Sequence, residues 1–138
     1  MGNKKILIVD DNPYVRRGMC VRLTANRYDT FFAGDAIAAI AEARKHQPDL
    51  IILDLGLPAG DGFVVMQRLK AIPALDLIPI IVISARDVRE NGPRVLKAGA
   101  KAYLQKPVNN SEFLAAIRLA LGEPALQNES VVYELGMA

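Results

Sequence analysis

The sequence predicts a doubly wound α/β fold around a parallel sheet, on three observations. The short apolar runs Ile6 to Val9, Leu50 to Leu53 and Ile80 to Ile83 are rich in β-branched residues and read as strands buried on both faces. Strand-like and helix-like segments alternate five times, the pattern of right-handed crossovers that place helices on both faces of a sheet. Each apolar run also stops at a polar residue. Asp10-Asp11, Asp54 and Ser84 end the three runs above, and Ala102-Tyr103-Leu104 leads through Gln105 to Lys106-Pro107.

The first strand covers about Lys5 to Asp10. A helix follows, with Asn12 or Asp11 as cap and Pro13 near its first position, running to about Ala25. Asp29 to Ala33 is the second strand. Asp35 caps the second helix, whose apolar positions Ile37, Ile40 and Ala41 recur at helical spacing and which ends near Lys45. Gln47-Pro48-Asp49 breaks the chain before the third strand, and residues 57–62 form a loop before a helix from about Phe63 to Ala71. Pro73 and Pro79 bracket the connection to the fourth strand. Asp87 and Glu90 form a capping-box pattern for the fourth helix, but Gly92-Pro93 lies within it. A mid-helix proline loses a backbone bond and costs about 3 kcal/mol, so this helix either kinks or begins late, near Pro93. Ala98-Gly99-Ala100 supplies its stop. Asn109 and Glu112 make a second capping box, and Phe113, Leu114, Ile117 and Leu121 the core face of the last helix. Five βα units with a switch point at strand one match the flavodoxin-like (βα)5 order 2-1-3-4-5. Strand three then lies beside strand one, and Asp54 beside Asp10 and Asp11.

Composition narrows the function. The 138 residues suit one domain, with 51% hydrophobic and 23% charged residues. Net charge is only +2 and the basic residues are scattered, which argues against direct nucleic-acid binding. No apolar run is long enough for membrane insertion, and Met1 to Lys5 lacks the apolar stretch of a signal peptide, so a cytoplasmic location is expected. Cys20 falls in a helical pattern with Val15, Met19 and Leu23 and reads as a buried reduced thiol. His46, the one histidine, ends the second helix and reads as a surface residue whose charge suits the helix dipole.

In an open parallel sheet, ligands sit beyond the carboxyl ends of the strands, so the polar stops converge. Taken singly, each has an ordinary explanation as a cap, a turn starter or an exposed turn. Together, each on a different strand, they form a set. Crowded carboxylates repel, and a divalent cation removes the conflict. Magnesium takes one or two carboxylates with carbonyls, waters and phosphate oxygens. An aspartate can accept a phosphoryl group, while a metal, a hydroxyl and an ammonium stabilise the transferring charge. Asp10, Asp11, Asp54, Ser84 and Lys106 supply these parts.

The matching elements are Val9-Asp10-Asp11, the Asp54-to-Gly62 loop with Pro58 between, Ser84-Ala85, Ala98-Gly99-Ala100 and Tyr103-Leu104-Gln105-Lys106-Pro107. Through them, from about Lys4 to Gly122, the chain resembles the receiver domains of two-component response regulators. The resemblance implies that Asp54 is the phosphoacceptor, taking a phosphoryl group from a histidine kinase phosphohistidine or a phosphotransfer protein. It implies a Mg2+ ion on Asp11, Asp54 and the Gly56 backbone carbonyl, with Asp10 acting through water. Lys106 would pair with the phosphoryl oxygens, and its peptide bond to Pro107 would be cis. Ser84 and Tyr103 would be the switch pair, the ring turning inward behind the hydroxyl. A downstream output protein or domain would read the result, and a homodimer through the fourth-helix, fifth-strand and fifth-helix face is the association this family allows. Such a receiver is a signalling phosphoacceptor that promotes its own phosphorylation and dephosphorylation, rather than an enzyme acting on other substrates. Gly56 and Arg86 occupy the two positions that tune phosphoryl lifetime in the family.

Three rivals compete. A haloacid-dehalogenase-like phosphatase would need a second aspartate two residues after Asp54, where Gly56 stands. An unphosphorylated receiver-like interaction module usually lacks one of the key groups, and all are present. A dinucleotide-binding domain would need a glycine-rich turn where Asp10-Asp11-Asn12-Pro13 stands. The expected organisation is a receiver over residues 1–122 and a tail or linker over 123–138, in which Val131, Val132 and Tyr133 could pair with another segment.

Overall fold

The computed structural model describes residues 2–58 and 60–124; the segment around Val131 lies outside them. The elements run β1 (Lys5–Val9), α1 (Pro13–Ala25), β2 (Asp29–Ala33), α2 (Ala36–His46), β3 (Leu50–Leu53), α3 (Gly62–Lys70), β4 (Ile80–Ser84), α4 (Val88–Lys97), β5 (Ala102–Gln105) and α5 (Asn110–Ala120). The strands form one parallel sheet in the order β2-β1-β3-β4-β5, as the sequence predicts.

Side chains alternate between the two faces of each strand, and the sheet therefore carries two cores. Leu7, Val9, Ile51, Leu53 and Val82 pack with residues of α2, α3 and α4, among them Ala39, Met66, Leu69 and Val95. Ile6, Ile8, Ile52, Ile81 and Ile83 pack with Met19 and Leu23 of α1 and Phe113 and Ile117 of α5. Each such side chain contributes about 2 kcal/mol by leaving water, which fixes the strands in register. Val9 aligns with Ala33 and Leu53, and Ser84 aligns with Gln105. The polar residues that follow are thereby brought to one edge.

Four readings are corrected in detail. The core face of α2 is Ala36, Ala39 and Ala43, while Ile37 is 68% exposed and Ile40 packs half-buried at the edge of the core; small side chains let the helix lie close to the sheet. Helix α4 begins at Val88 and runs through Pro93. Its cap, Asp87, accepts from the Arg89 amide at 2.7 Å, one residue short of the capping-box partner. Cys20 is only half-buried, with its sulfur 3.3 Å from Thr30 Oγ1. His46 is likewise packed: its ring stacks on Phe31 at 3.8 Å and its Nε2 lies 3.0 Å from a Glu42 oxygen. The caps Asn12, Asp35 and Asn109 accept amides of the first turns of α1, α2 and α5 as the sequence predicts.

Packing continues past α5. Tyr28, just before β2, donates its hydroxyl to Glu123 at 2.6 Å, and Lys4 Nζ lies 3.9 Å from the same carboxylate. Burial, with the Glu123 hydrogen bond and charge, raises the Tyr28 pKa.

Candidate functional site

Backbone bonds between strand ends build the site. The amide of Asp54 donates to Val9 O at 2.9 Å, that of Asp10 to Ala33 O at 3.1 Å, and that of Lys106 to Ser84 O at 2.8 Å. Carboxylate oxygens of Asp10, Asp11 and Asp54 consequently lie within 4.8 Å of one another. Asp10 is buried, Asp54 is 9% exposed and Asp11 faces solvent. This is an all-oxygen donor set with one wet side, which suits a hard cation that keeps part of its water. The Gly56 amide donates to Asp54 Oδ1 at 3.2 Å and closes the turn after Asp54.

Lys106 enters from β5. Its Nζ lies 2.8 Å from Asp10 Oδ2 and 3.4 Å from Asp54 Oδ2, and its peptide bond to Pro107 is cis. Burial alone would lower the ammonium pKa; the Asp10 hydrogen bond and the charges of Asp54 and Asp10 outweigh it, and the pKa is raised. The lysine is thus held charged against the crowded carboxylates. Ser84 is buried at the end of β4, its Oγ accepting from the Arg86 amide at 3.4 Å. The Tyr103 ring is also buried, and its hydroxyl donates to the carbonyl of Arg86. Burial raises the Tyr103 pKa against the lowering effects of Ser84 and Arg86.

Residues 6–118 match the family described as the response regulator receiver domain. The chain belongs to that family. It is 34% identical over 139 aligned residues to the transcriptional regulatory protein KdpE of Mycobacterium tuberculosis, covering 94% of this chain and 60% of that protein. It is 32% identical over 120 residues to the polar-differentiation response regulator DivK of Brucella anthropi, covering 87% of this chain and 98% of that one. Among solved structures, the receiver domain of the Pseudomonas aeruginosa sensor histidine kinase PA1611, which has a magnesium ion coordinated in its active site cleft, superposes with a TM-score of 0.81 at 27% identity, covering 88% of this chain and all of that one. The chain is a receiver domain of two-component signalling, and membership decides against the phosphatase rival. No described helix is long and apolar enough to cross a membrane.

This receiver also holds its site through contacts that the sequence motifs do not display. Asp61 caps α3 by accepting from the Phe63 amide at 3.0 Å, and Arg86 reaches to within 3.8 Å of its carboxylate. Gly62 packs so tightly under Asp54 that a Cβ there would lie 2.6 Å from the Asp54 carbonyl oxygen. Arg16 donates to the Asp10 carbonyl at 2.7 Å. The loop glycine was visible as part of the motif, but its reason, room beneath Asp54, was not. Arg16 carried only a weak signal, its place four residues after the cap of α1.

Proposed function

We propose that Asp54 is the phosphoacceptor of this receiver. The observation that carries the reading is the convergence of Lys106 Nζ on Asp10 and Asp54 within the carboxylate cluster. A carboxylate oxygen of Asp54 attacks the phosphorus of a phosphohistidine; the new P–O bond forms as the P–N bond breaks, and the imidazole leaves with the electron pair. Lys106 stays charged and neutralises oxygens of the arriving group, and Ser84 supplies a hydroxyl at the neighbouring strand end. Asp11, Asp54 and the Gly56 carbonyl would hold Mg2+, with Asp10 through water. That ion, when bound, offers Lewis-acid stabilisation of the transferring charge.

The donor is a histidine kinase or phosphotransfer protein in the cytoplasm, and the receiver promotes its own phosphorylation and dephosphorylation. Residues 1–122 act as the receiver unit, followed by a tail or linker. Ser84 and Tyr103 form the switch, and the α4, β5 and α5 face meets the output protein or a second copy. The chain spans 60% of the length of the matched KdpE, so partners are proposed for the receiver alone. Acetyl phosphate with Mg2+ should add one labile phosphoryl group, detected by intact mass, and Asp54→Asn should abolish it. Unchanged modification of that variant would sink the assignment.

A further inference from the structure

Every polar atom of Asp10 is held. Its amide donates to Ala33 O at 3.1 Å, its Oδ1 accepts from the Asn12 amide at 2.9 Å, and its Oδ2 accepts from Lys106 at 2.8 Å. The fourth point is its carbonyl, which takes a charge-assisted hydrogen bond from Arg16 Nη1 at 2.7 Å. That carbonyl belongs to the Asp10–Asp11 peptide unit, so its direction sets where the Asp11 backbone, and hence the exposed Asp11 carboxylate, can stand. The Asp11 side chain has no hydrogen-bond partner of its own among the described residues. Its placement rests on the peptide behind it.

Gly34 completes the arrangement. Its backbone does not lie in the left-handed region, so glycine is not required there for conformation. It leaves room, because a Cβ at Gly34 would lie 3.3 Å from Arg16 Nη1 and would push the guanidinium by a few tenths of an ångström. Arg17, the neighbour in sequence, is exposed, whereas Arg16 is half-buried along this slot.

We propose that Arg16 is a positioning residue for the cation site, setting Asp11 through the Asp10 carbonyl from a slot that Gly34 keeps open. The proposal rests on the magnesium reading above and concerns how tightly the ion is held. Outer-shell partners of this kind typically change metal affinity 10–100-fold.

The test is calorimetric titration of the full chain with Mg2+. Arg16→Gln should weaken binding about tenfold, and Arg16→Lys, which keeps a charged donor, should weaken it less. Gly34→Ala should also weaken binding, and the Arg16→Gln/Gly34→Ala double variant should be no worse than Arg16→Gln alone, because both act through one contact. With acetyl phosphate, the Mg2+ concentration giving half-maximal phosphorylation should rise by the same factor in Arg16→Gln. The rate at saturating Mg2+ should stay within about twofold of the parent. Without metal, amide exchange at Asn12 should quicken in Arg16→Gln. Parental Mg2+ affinity in Arg16→Gln, with affinity lost in Asp11→Ala, would overturn the proposal and leave the magnesium reading standing. A fall in the saturated rate matching the fall in affinity would overturn it as well, by marking a general loss of the fold. Parent and Asp11→Ala binding equally would instead remove the magnesium reading.

Discussion

At position 62 the largest side chain that fits is a hydrogen atom. A methyl group would meet Asp54 O at 2.6 Å and Leu55 Cα at 2.8 Å, both backbone atoms that cannot step aside. Gly62→Ala should therefore lose about 2 kcal/mol of stability in urea unfolding, the usual scale of overpacking, and slow phosphorylation by tilting the acceptor loop. Parental stability would show that the loop yields. Lys106 makes a pH-dependent prediction. Its folded pKa is raised above the ordinary 10.5, so its stabilising effect is complete below that value and is lost as pH rises through the folded value. The stability gap between the parent and Lys106→Met should be constant from neutral pH to about 10.5 and close above it. A gap that widens in alkali would contradict the pairing. The acidic pair, Asp54, Ser84 and Lys106 were legible in the sequence because each ends an apolar run. Gly62 and Arg16 were not legible in the same way, because their work is defined by contacts across the fold: Gly62 touches Asp54, and Arg16 shares its slot with Gly34, just past the end of β2.

Among the elements, α4 carries the clearest local conflict. Pro93 has no amide for the Arg89 carbonyl, yet the helix runs on to Lys97, capped by Asp87 and anchored by the buried Gly92 and Val95. Propensity alone divides this segment; packing of Val95 on the sheet keeps it whole. Pro93→Ala should stabilise the protein by about 2 kcal/mol, which is the ~3 kcal/mol helix-interior cost less the unfolded-state entropy that proline saves. In the parent, α4 should show the fastest amide exchange of the five helices, and protection equal to that of α5 would refute this. Helix α2 shows another limit of sequence reading. Two stripes share the 3.6-residue period, and weighting by size selects the Ile37 stripe over the alanine stripe that meets the sheet. Periodicity identifies a helix and its length, but closeness of approach decides which stripe is inside.

For the molecule as a whole, strand order and crossovers followed from the alternation of elements, since a parallel sheet leaves few other connections. A cation that binds only the folded chain should raise the melting temperature, by roughly 1.4 kcal/mol of added stability at ten times its Kd. Asp11→Ala should erase that increment, and a magnesium-independent melt of the parent would count against the site. The clamp of Tyr28 and Lys4 on Glu123 lies at the starting ends of β1 and β2, whereas Asp10 and Asp54 lie at the finishing ends. A five-residue strand spans about 16 Å, so the carboxylate cluster and the Glu123 clamp sit at opposite poles of the sheet. On the function proposed above, a phosphodonor at Asp54 approaches one pole of the sheet and leaves the contacts of Glu123 at the other pole undisturbed.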